Sequence, residues 1–498
     1  MMTRTAGDDR SLVERLLSPI ADVHRGEGLK SLLLALNLFM VLAAYYMLKT
    51  VREALILTQG GAAIKAYSSA GQAMLLVALV PAFGAVASRV NRIHLIRGVT
   101  LFFVSNICAF FVAATLGLSI AVPFFLWVGV FNVMVISQFW AFANDLFTPE
   151  QGKRLFAIVG LGSSLGAWLG SVYAGDVIRA TGPFPLMLIA AAVLTLCTVV
   201  ASVIERGQSR SRDSNRAAEA AQPLEKVGGF TLIRQQRYLT LIALMVVLLN
   251  IVNTSGEYLF GRFIVDASIR AYGSGPASLA ARQQFVGGVY AHLFSYVNLL
   301  GLLLQLIVVS RVLKHVGVAR ALFIHPMVVF AGYLAMLKAP SVTTMEWLKI
   351  VDNSLDYSLS NTAREALWLP TSRVAKYKAK QAVDAFFMRA GDVLQAGVVF
   401  IGEHLAFTIP MFAGLNVALA LGWIAVIAAL NPVYRRQLAT SRTVGSTAEP
   451  QRASSETPMR VTTQPSASQR APLATTHMKS GDQHSGTVEP LLLKTSEE

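Results

Sequence analysis

Residues 31–48 read Ser31-Leu-Leu-Leu-Ala-Leu-Asn-Leu-Phe-Met-Val-Leu-Ala-Ala-Tyr-Tyr-Met-Leu48, an apolar run on the scale of a bilayer crossing. A helix needs about 20 mostly apolar residues to cover roughly 30 Å of hydrocarbon. This run does not end cleanly. Lys49, Arg52 and Glu53 follow, and then Ala54-Leu-Ile-Leu57 resumes the apolar pattern. A charge inside such a segment is costly, so it faces a cavity or a partner. Lys49 and Glu53 are four residues apart and can pair along one helix face, which leaves Arg52 free on the neighbouring side. Snorkelling to the interface is the alternative. The apolar residues beyond the charges argue against a simple helix end.

Runs of the same kind recur along the chain. We expect spans at 31–48, 66–88, 97–115, 120–143, 154–178, 184–204, 237–265, 284–310, 320–337, 342–365, 379–404 and 409–432. Charges intrude in the first, fifth, tenth and eleventh. Composition agrees with an all-α membrane protein of about twelve transmembrane helices. Of 498 residues 54% are hydrophobic and 14% charged, and the mean hydropathy is +0.53. A soluble domain of this size needs more charge to cover its surface. No small-residue cleavage site follows the first run, so it reads as a retained signal-anchor span.

The polar stretch 205–236 divides the runs six and six, giving halves at 31–204 and 237–432 between a cytoplasmic segment 1–30 and a tail 433–498. The halves echo each other at an offset of about 222 residues. Ser88-Arg89-Val90 follows the second run and Ser310-Arg311-Val312 the eighth; Pro149 follows the fourth and Pro370 the tenth. Parallel six-span repeats place a substrate cavity between the halves, near the midplane, with alternating access by rocking of one half on the other. The tail is rich in Ser, Thr, Gln and Pro without apolar periodicity and should be disordered.

Lys and Arg set the orientation. Arg25, Lys30, Arg89, Arg92, Arg97, Lys153, Arg154 and the Arg-rich 206–216 fall on one side, with Arg311, Lys314, Arg320 and the cluster from Arg373 to Lys380. The other side holds Lys65, Arg179, Arg270, Arg282 and Lys338. Both termini should therefore be cytoplasmic, in a bacterial inner membrane. The net charge of +15 reads either as this bias plus attraction to anionic lipid or as attraction of an anionic substrate. Two cysteines, Cys108 and Cys197, sit within apolar runs, and neither they nor the eight histidines show metal spacing. No Gly-x-x-x-x-Gly-Lys-[Ser/Thr] loop is present, so the chain carries no evident ATPase. No nucleophile or acid–base pair stands out as an enzyme's. We expect no cofactor, no nucleic-acid partner and a monomer in the bilayer.

Charges cluster at three further places. Asn144 and Asp145 lie with Glu150, Lys153 and Arg154 around the fourth interhelical turn, in the pattern of a salt-bridge latch. Glu257 stands in the seventh span with Arg262 five residues on; about 140° around a helix separates them, so Glu257 needs another partner or a wet cavity. Asp352 and Asp356 precede Arg364 and Glu365 in the tenth span. Arg373, Lys376, Lys380 and Asp384 come next at helical spacing, with Arg389 and Asp392 three apart in the eleventh; this basic stripe reads equally as a solvated face. Gly162, Gly166 and Gly170 recur every four residues in the fifth span, a pattern for close helix packing.

Three of these segments resemble a known family. Leu48-Lys-Thr-Val-Arg-Glu-Ala-Leu55 is similar to the first-span segment of the ATP/ADP translocases of plastids and obligate intracellular bacteria. Phe139-Trp-Ala-Phe-Ala-Asn144, Pro149-Glu-Gln-Gly-Lys-Arg154 and Val159-Gly-Leu-Gly162 resemble that family's span 4–5 signature. Ala363-Arg-Glu-Ala-Leu-Trp-Leu-Pro370, Lys376-Tyr-Lys-Ala-Lys380 and Val383-Asp384 resemble its span 10–11 signature. The resemblance runs from about 31 to 432 and implies a major-facilitator-like fold and exchange of nucleotides, ATP against ADP. Carried over position by position, it implies substrate-binding roles for Arg52, Glu257 and Arg364, beside which Lys49 and Lys380 are further candidate substrate-binding cations. The charge clusters themselves give a candidate gating or salt-bridge network of Glu53, Asn144, Asp145, Lys153, Arg154, Glu365, Arg373, Lys376, Asp384, Arg389 and Asp392, and for a nucleotide Tyr45, Tyr46 or Trp140 would stack on the base. Two departures stand out. The stretch Ile120–Ala143 has no acidic residue where the exchangers usually carry glutamate, and the first-span pair runs Lys then Arg instead of Arg then Lys. Alternatives that stay open are a carrier of another organic anion or amphiphile, proton-coupled through Glu257 or Asp352, and a non-transporting membrane scaffold.

Overall fold

The structure, a computed structural model, describes residues 12–18, 21–87, 92–206, 228–372 and 374–453. The first run is a helix well beyond its sequence bounds, α1 (Gly28–Gln59), because the apolar residues after Glu53 keep it going. The chain then turns on two glycines, and Gly61 takes φ +77°, a conformation that favours glycine. So α2 (Gly61–Ala87) starts at once and runs back beside α1. The rest of the first half is α3 (Arg92–Thr115), α4 (Ala121–Leu146), α5 (Pro149–Thr181) and α6 (Pro183–Arg206). Pro149 opens α5 at its first turn and Thr148 caps it, with Gln151 completing a reciprocal cap. The second half is α7 (Arg237–Tyr272), α8 (Pro276–His315), α9 (Val318–Lys338), α10 (Val342–Leu355, continued by a wider π turn Asp356–Ser360 and by Asn361–Ala366), α11 (Lys380–His404) and α12 (Ile409–Ala453).

Among the described residues there is no strand, and eleven of these helices are long and apolar enough to cross a membrane. The twelfth, α10, is long enough but carries Glu346, Lys349, Asp352 and Asp356 within a few turns. Its charge marks it as facing the protein interior, since lipid would not accept it.

The packing inside the first half is set by small residues. Gly162, Gly166 and Gly170 lie against the α1 backbone at Ala35, Phe39 and Ala43, where any Cβ would overlap main-chain atoms. The two helices therefore touch backbone to backbone. Asn37 of α1 donates to the Cys197 carbonyl of α6 at 2.8 Å and ties the next helix in. The halves meet mainly through α1, α2 and α5 on one side and α7, α8 and α11 on the other. Gly287 makes room for Ile178 and Ala54, Gly175 lies against Ala291, and Asn298 donates to Ala167 and Ser171. These contacts lie between mid-helix and the end where the turns at Gly60, Gly182 and Gly273 sit. At the opposite end each half packs on itself: Arg154 holds Glu27 in the first, and Tyr238 donates to the Leu367 carbonyl in the second.

Three sequence expectations need correction. Lys65 is not in an outer loop; the Gly60–Gly61 turn is so tight that Lys65 is already one turn into α2. The central polar stretch contains a short helix, Gly229–Gln235, packed on α11's approach at Lys378. The last helix does not stop at 432. Tyr434 is buried and stacks on Tyr238, so the turn at Tyr434 packs on the bundle. The chain divides into a unit Met1–Thr443 and a second unit Val444–Glu498, of which 444–453 are described and helical. Ser88-Arg89-Val90, the 210–216 arginines, Arg373 and 454–498 lie outside the described residues.

Candidate functional site

The turn that brings α2 back along α1 builds the centre of the molecule. Lys65 Nζ sits 2.8 Å from Glu53 of α1 and 3.3 Å from Glu257 of α7, so it joins the two halves. It also donates to the Tyr290 hydroxyl of α8 at 3.2 Å. Arg52 pairs with Glu53 and lays its guanidinium 4.5 Å from the Phe125 ring centroid. Lys49 does not take Glu53, contrary to the helical spacing, because Lys65 and Arg52 already occupy that carboxylate. Its ammonium rests 4.1 Å from the Phe294 ring centroid and 5.2 Å from that of Tyr46, and it makes no salt bridge among the described residues.

Glu257 is held from the second half as well. Lys349 of α10 lies 3.5 Å away and Asn353, one turn on, donates to Glu257 at 3.3 Å. Lys349 is 0% exposed; it fits because Gly256 presents no side chain where the lysine stem passes. Behind it Asp352 takes Lys349 at 2.8 Å and His325 of α9 at 2.8 Å. Glu257 and Arg262 do not pair with each other; Arg262 turns to Glu403 at 3.7 Å.

Lys49, Arg52, Glu53, Lys65, Glu257 and Asn353 line a cavity of about 300 Å³ between the halves, with Lys349, Asp352 and His325 behind its wall. Four cations line it (Lys49, Arg52, Lys65 and Arg389) against three carboxylates (Glu53, Glu257 and Asp392). Arg389 pairs with Asp392 at 3.4 Å, and Asn250 donates to the same carboxylate at 2.8 Å. Apart from Lys49, each lining cation has a carboxylate against it. Tyr45, Phe125, Phe294 and Tyr357 supply aromatic faces. Of the aromatics singled out in the sequence, Tyr45 lines the cavity, Tyr46 packs on Tyr45 and Phe294, and Trp140 packs on Phe139 and Phe156.

Arg364 and Lys380 are not brought to this cavity. Arg364 is ion-paired to Asp356 on its own helix at 3.2 Å. In an unbroken α-helix a residue eleven places after Asn353 would fall within about 20° of its face. The π turn at Asp356–Ser360 inserts an extra residue and rotates the remainder of the helix by roughly 100°. Lys380 bridges Glu365 at 3.1 Å and Asp384 at 2.9 Å, linking the end of α10 to α11. Lys376 is exposed nearby. At the α4–α5 turn, Asn144, Asp145 and Lys153 line a shallow recess, Glu150 is exposed, and Arg154 reaches Glu27 at 3.1 Å. Burial works to raise the Glu27 carboxyl, but the His24 N–H, Arg154 and Gln151 outweigh it and hold the pKa below its ordinary value. Lys65, Lys349, His325 and Asn353 were missed in the sequence. The Gly60-Gly61 pair was the signal for Lys65, and the i, i+3 spacing to Asp352 was the signal for Lys349.

No family model matches the chain. The ADP,ATP carrier protein 1 of Rickettsia bellii aligns over 495 residues at 21% identity, covering 87% of this chain and 98% of that protein. The protein of the same name from Chlamydia muridarum aligns at 21% over 61% of this chain and 63% of its own length. The chain is a weak homologue of these bacterial carriers. Among solved structures, a bacterial homologue of the iron transporter ferroportin in an inward-facing state has a TM-score of 0.57 at 12% identity, covering 81% of this chain and 98% of that one. The nucleoside transporter NupG has a TM-score of 0.55 at 15% identity, covering 80% and 98%. The fold is thus of the major-facilitator type, and the protein is a membrane transporter; its relatives and fold neighbours are transporters, not enzymes.

Proposed function

We propose that the protein exchanges nucleotides by alternating access, with phosphate groups held on Lys49, Arg52 and Lys65 in the central cavity. The observation that carries this reading is Lys49, a cation in the cavity with aromatic faces and no carboxylate against it. Lys49 is half-buried, and a cation held away from water without a salt-bridge partner is costly; an anion entering the cavity supplies that partner. Phosphates, with about three or four negative charges on a nucleoside triphosphate, suit a group of cations in a low-dielectric site. Arg52 adds a planar fork for phosphate oxygens. Distant homology to ADP,ATP carriers favours nucleotides over other anions. In this reading both termini are cytoplasmic, as the lysine and arginine distribution supports. The contacts near Gly60 and Gly182 then close the outer side, and the substrate enters from the cytoplasm. The deciding experiment is uptake of labelled ATP into proteoliposomes with and without ADP inside. Uptake that requires internal ADP supports exchange; no uptake in either condition by folded protein rejects nucleotides.

A second reading is supported by a separate observation. Lys349, Asp352 and His325 form a fully buried chain that ends on Glu257. Such a chain suits proton coupling, in which case uptake follows a pH gradient without internal ADP, and Glu257→Gln abolishes that dependence.

A further inference from the structure

The central cavity has a second pole that the charges do not use. Lys65, Ser69 and Gln72 lie on one face of α2, and all three line the cavity. Seven residues make two turns, so Gln72 stands about 10 Å along the helix from Lys65. Gln72 is seated by a glycine: a Cβ on Gly129 of α4 would overlap its terminal amide. One turn along α4, Asn132 lines the same wall. Gln395 of α11 lines the cavity too and is 2% exposed. Each of these amides has a buried polar atom with no hydrogen-bond partner: Gln72 Oε1, Asn132 Oδ1 and Gln395 Nε2. Buried polar atoms are nearly always bonded, so three unsatisfied amides around one cavity call for a ligand. Amides carry donor and acceptor together and no charge, and so cannot anchor phosphate as the lysines do.

We infer that Gln72, Asn132 and Gln395 bind the uncharged hydrogen-bonding end of the substrate, the base or ribose of a nucleotide, while its phosphates lie on Lys49, Arg52 and Lys65. The inference rests on the phosphate reading above and adds the residues that tell a nucleotide from a bare polyphosphate. The distance along α2 between the two poles is comparable to the length of a nucleotide from terminal phosphate to base. Gly129 acts as a positioning residue, since a methyl group there displaces Gln72 without touching the cations.

The test is equilibrium binding of ATP, ribose 5-triphosphate and inorganic tripolyphosphate to the purified full chain. Wild type is compared with Gln72→Met, Asn132→Leu and Gly129→Ala, each checked for a monodisperse peak and a normal melting temperature. Gln72→Met and Asn132→Leu should each weaken ATP about tenfold and leave tripolyphosphate within about twofold, as expected for losing a hydrogen bond in a buried site. Gly129→Ala should reproduce the Gln72→Met pattern. Loss of ATP alone assigns the amides to the base; equal loss of ribose triphosphate assigns them to the sugar. Unchanged ATP binding in all three variants, or equal weakening of ATP and tripolyphosphate, overturns the inference. If wild type binds ATP and tripolyphosphate equally, the inference fails while the phosphate reading stands. If it binds none of the three, both fail.

Discussion

Two regions of this molecule look alike in sequence and behave differently in space. The stretch around Lys49, Arg52 and Glu53 and the stretch from Lys349 to Asp384 are both dense in charge. In the first, the Gly60–Gly61 turn folds Lys65 back onto Glu53, and the cluster reaches across to Glu257 and Lys349 of the other half. The second splits. Its beginning, Lys349 to Asn353, joins the central cluster, but beyond the π turn its charges pair locally as Arg364–Asp356, Lys380–Glu365 and Lys380–Asp384. A charge-rich run therefore marks a site only where the fold turns it toward a counterpart. Exposure rises along the second stretch: Lys349 is 0% exposed, Arg364 and Asp356 are 13% and 15%, and Glu365 and Asp384 reach 55% and 52%.

The largest test of that difference is stability. Lys349→Met leaves Asp352 and Glu257 without their shared cation and should cost about 3–5 kcal/mol. Lys380→Met removes partners that water already solvates and should cost under about 1 kcal/mol. Thermal melting of the two variants in one detergent reads this directly; equal shifts would erase the distinction. Next in size is Gly166→Ala, which puts a methyl group against the Phe39 backbone and should cost about 1–3 kcal/mol through forced separation of α1 and α5. A melting temperature equal to wild type would mean that the helices do not meet at that glycine. The smallest expected effect is at the α1–α5 tether. Glu27 has a lowered pKa, so its pairing with Arg154 contributes above its ordinary value of 4.5 and fades as pH falls through the depressed value. Glu27→Gln should lose about 1 kcal/mol or less near neutral pH. The gap to wild type should close in acid, and a gap that widens there would contradict the pairing.

Much of the fold was legible because lipid demands a simple code. The apolar runs gave the helices, and Gly162, Gly166 and Gly170 pointed to a face that the structure sets against α1. The site was legible in part. Arg52 and Glu257 stood out as charges within apolar runs and do line the cavity. Lys65 was hidden because its neighbours read as a loop until the turn is known to be two glycines long. Arg364 misled because eleven residues after Asn353 returns to the same helix face, and no sequence rule announces the π turn that breaks that register. The amides escaped notice because Gln72 and Asn132 are ordinary until Gly129 and the cavity are seen together.

The central claim is that an anionic substrate is held where the first half leaves a cation unpaired, not at the charge-rich end of α10. The most direct measurement is ATP affinity of the purified protein as wild type, Lys49→Met and Arg364→Met, with equal folding shown for all three. The account predicts at least about a tenfold loss for Lys49→Met, the scale of one charge-assisted hydrogen bond, and near wild-type affinity for Arg364→Met. Affinity kept by Lys49→Met and lost by Arg364→Met would contradict it and move the site to the other end of α10.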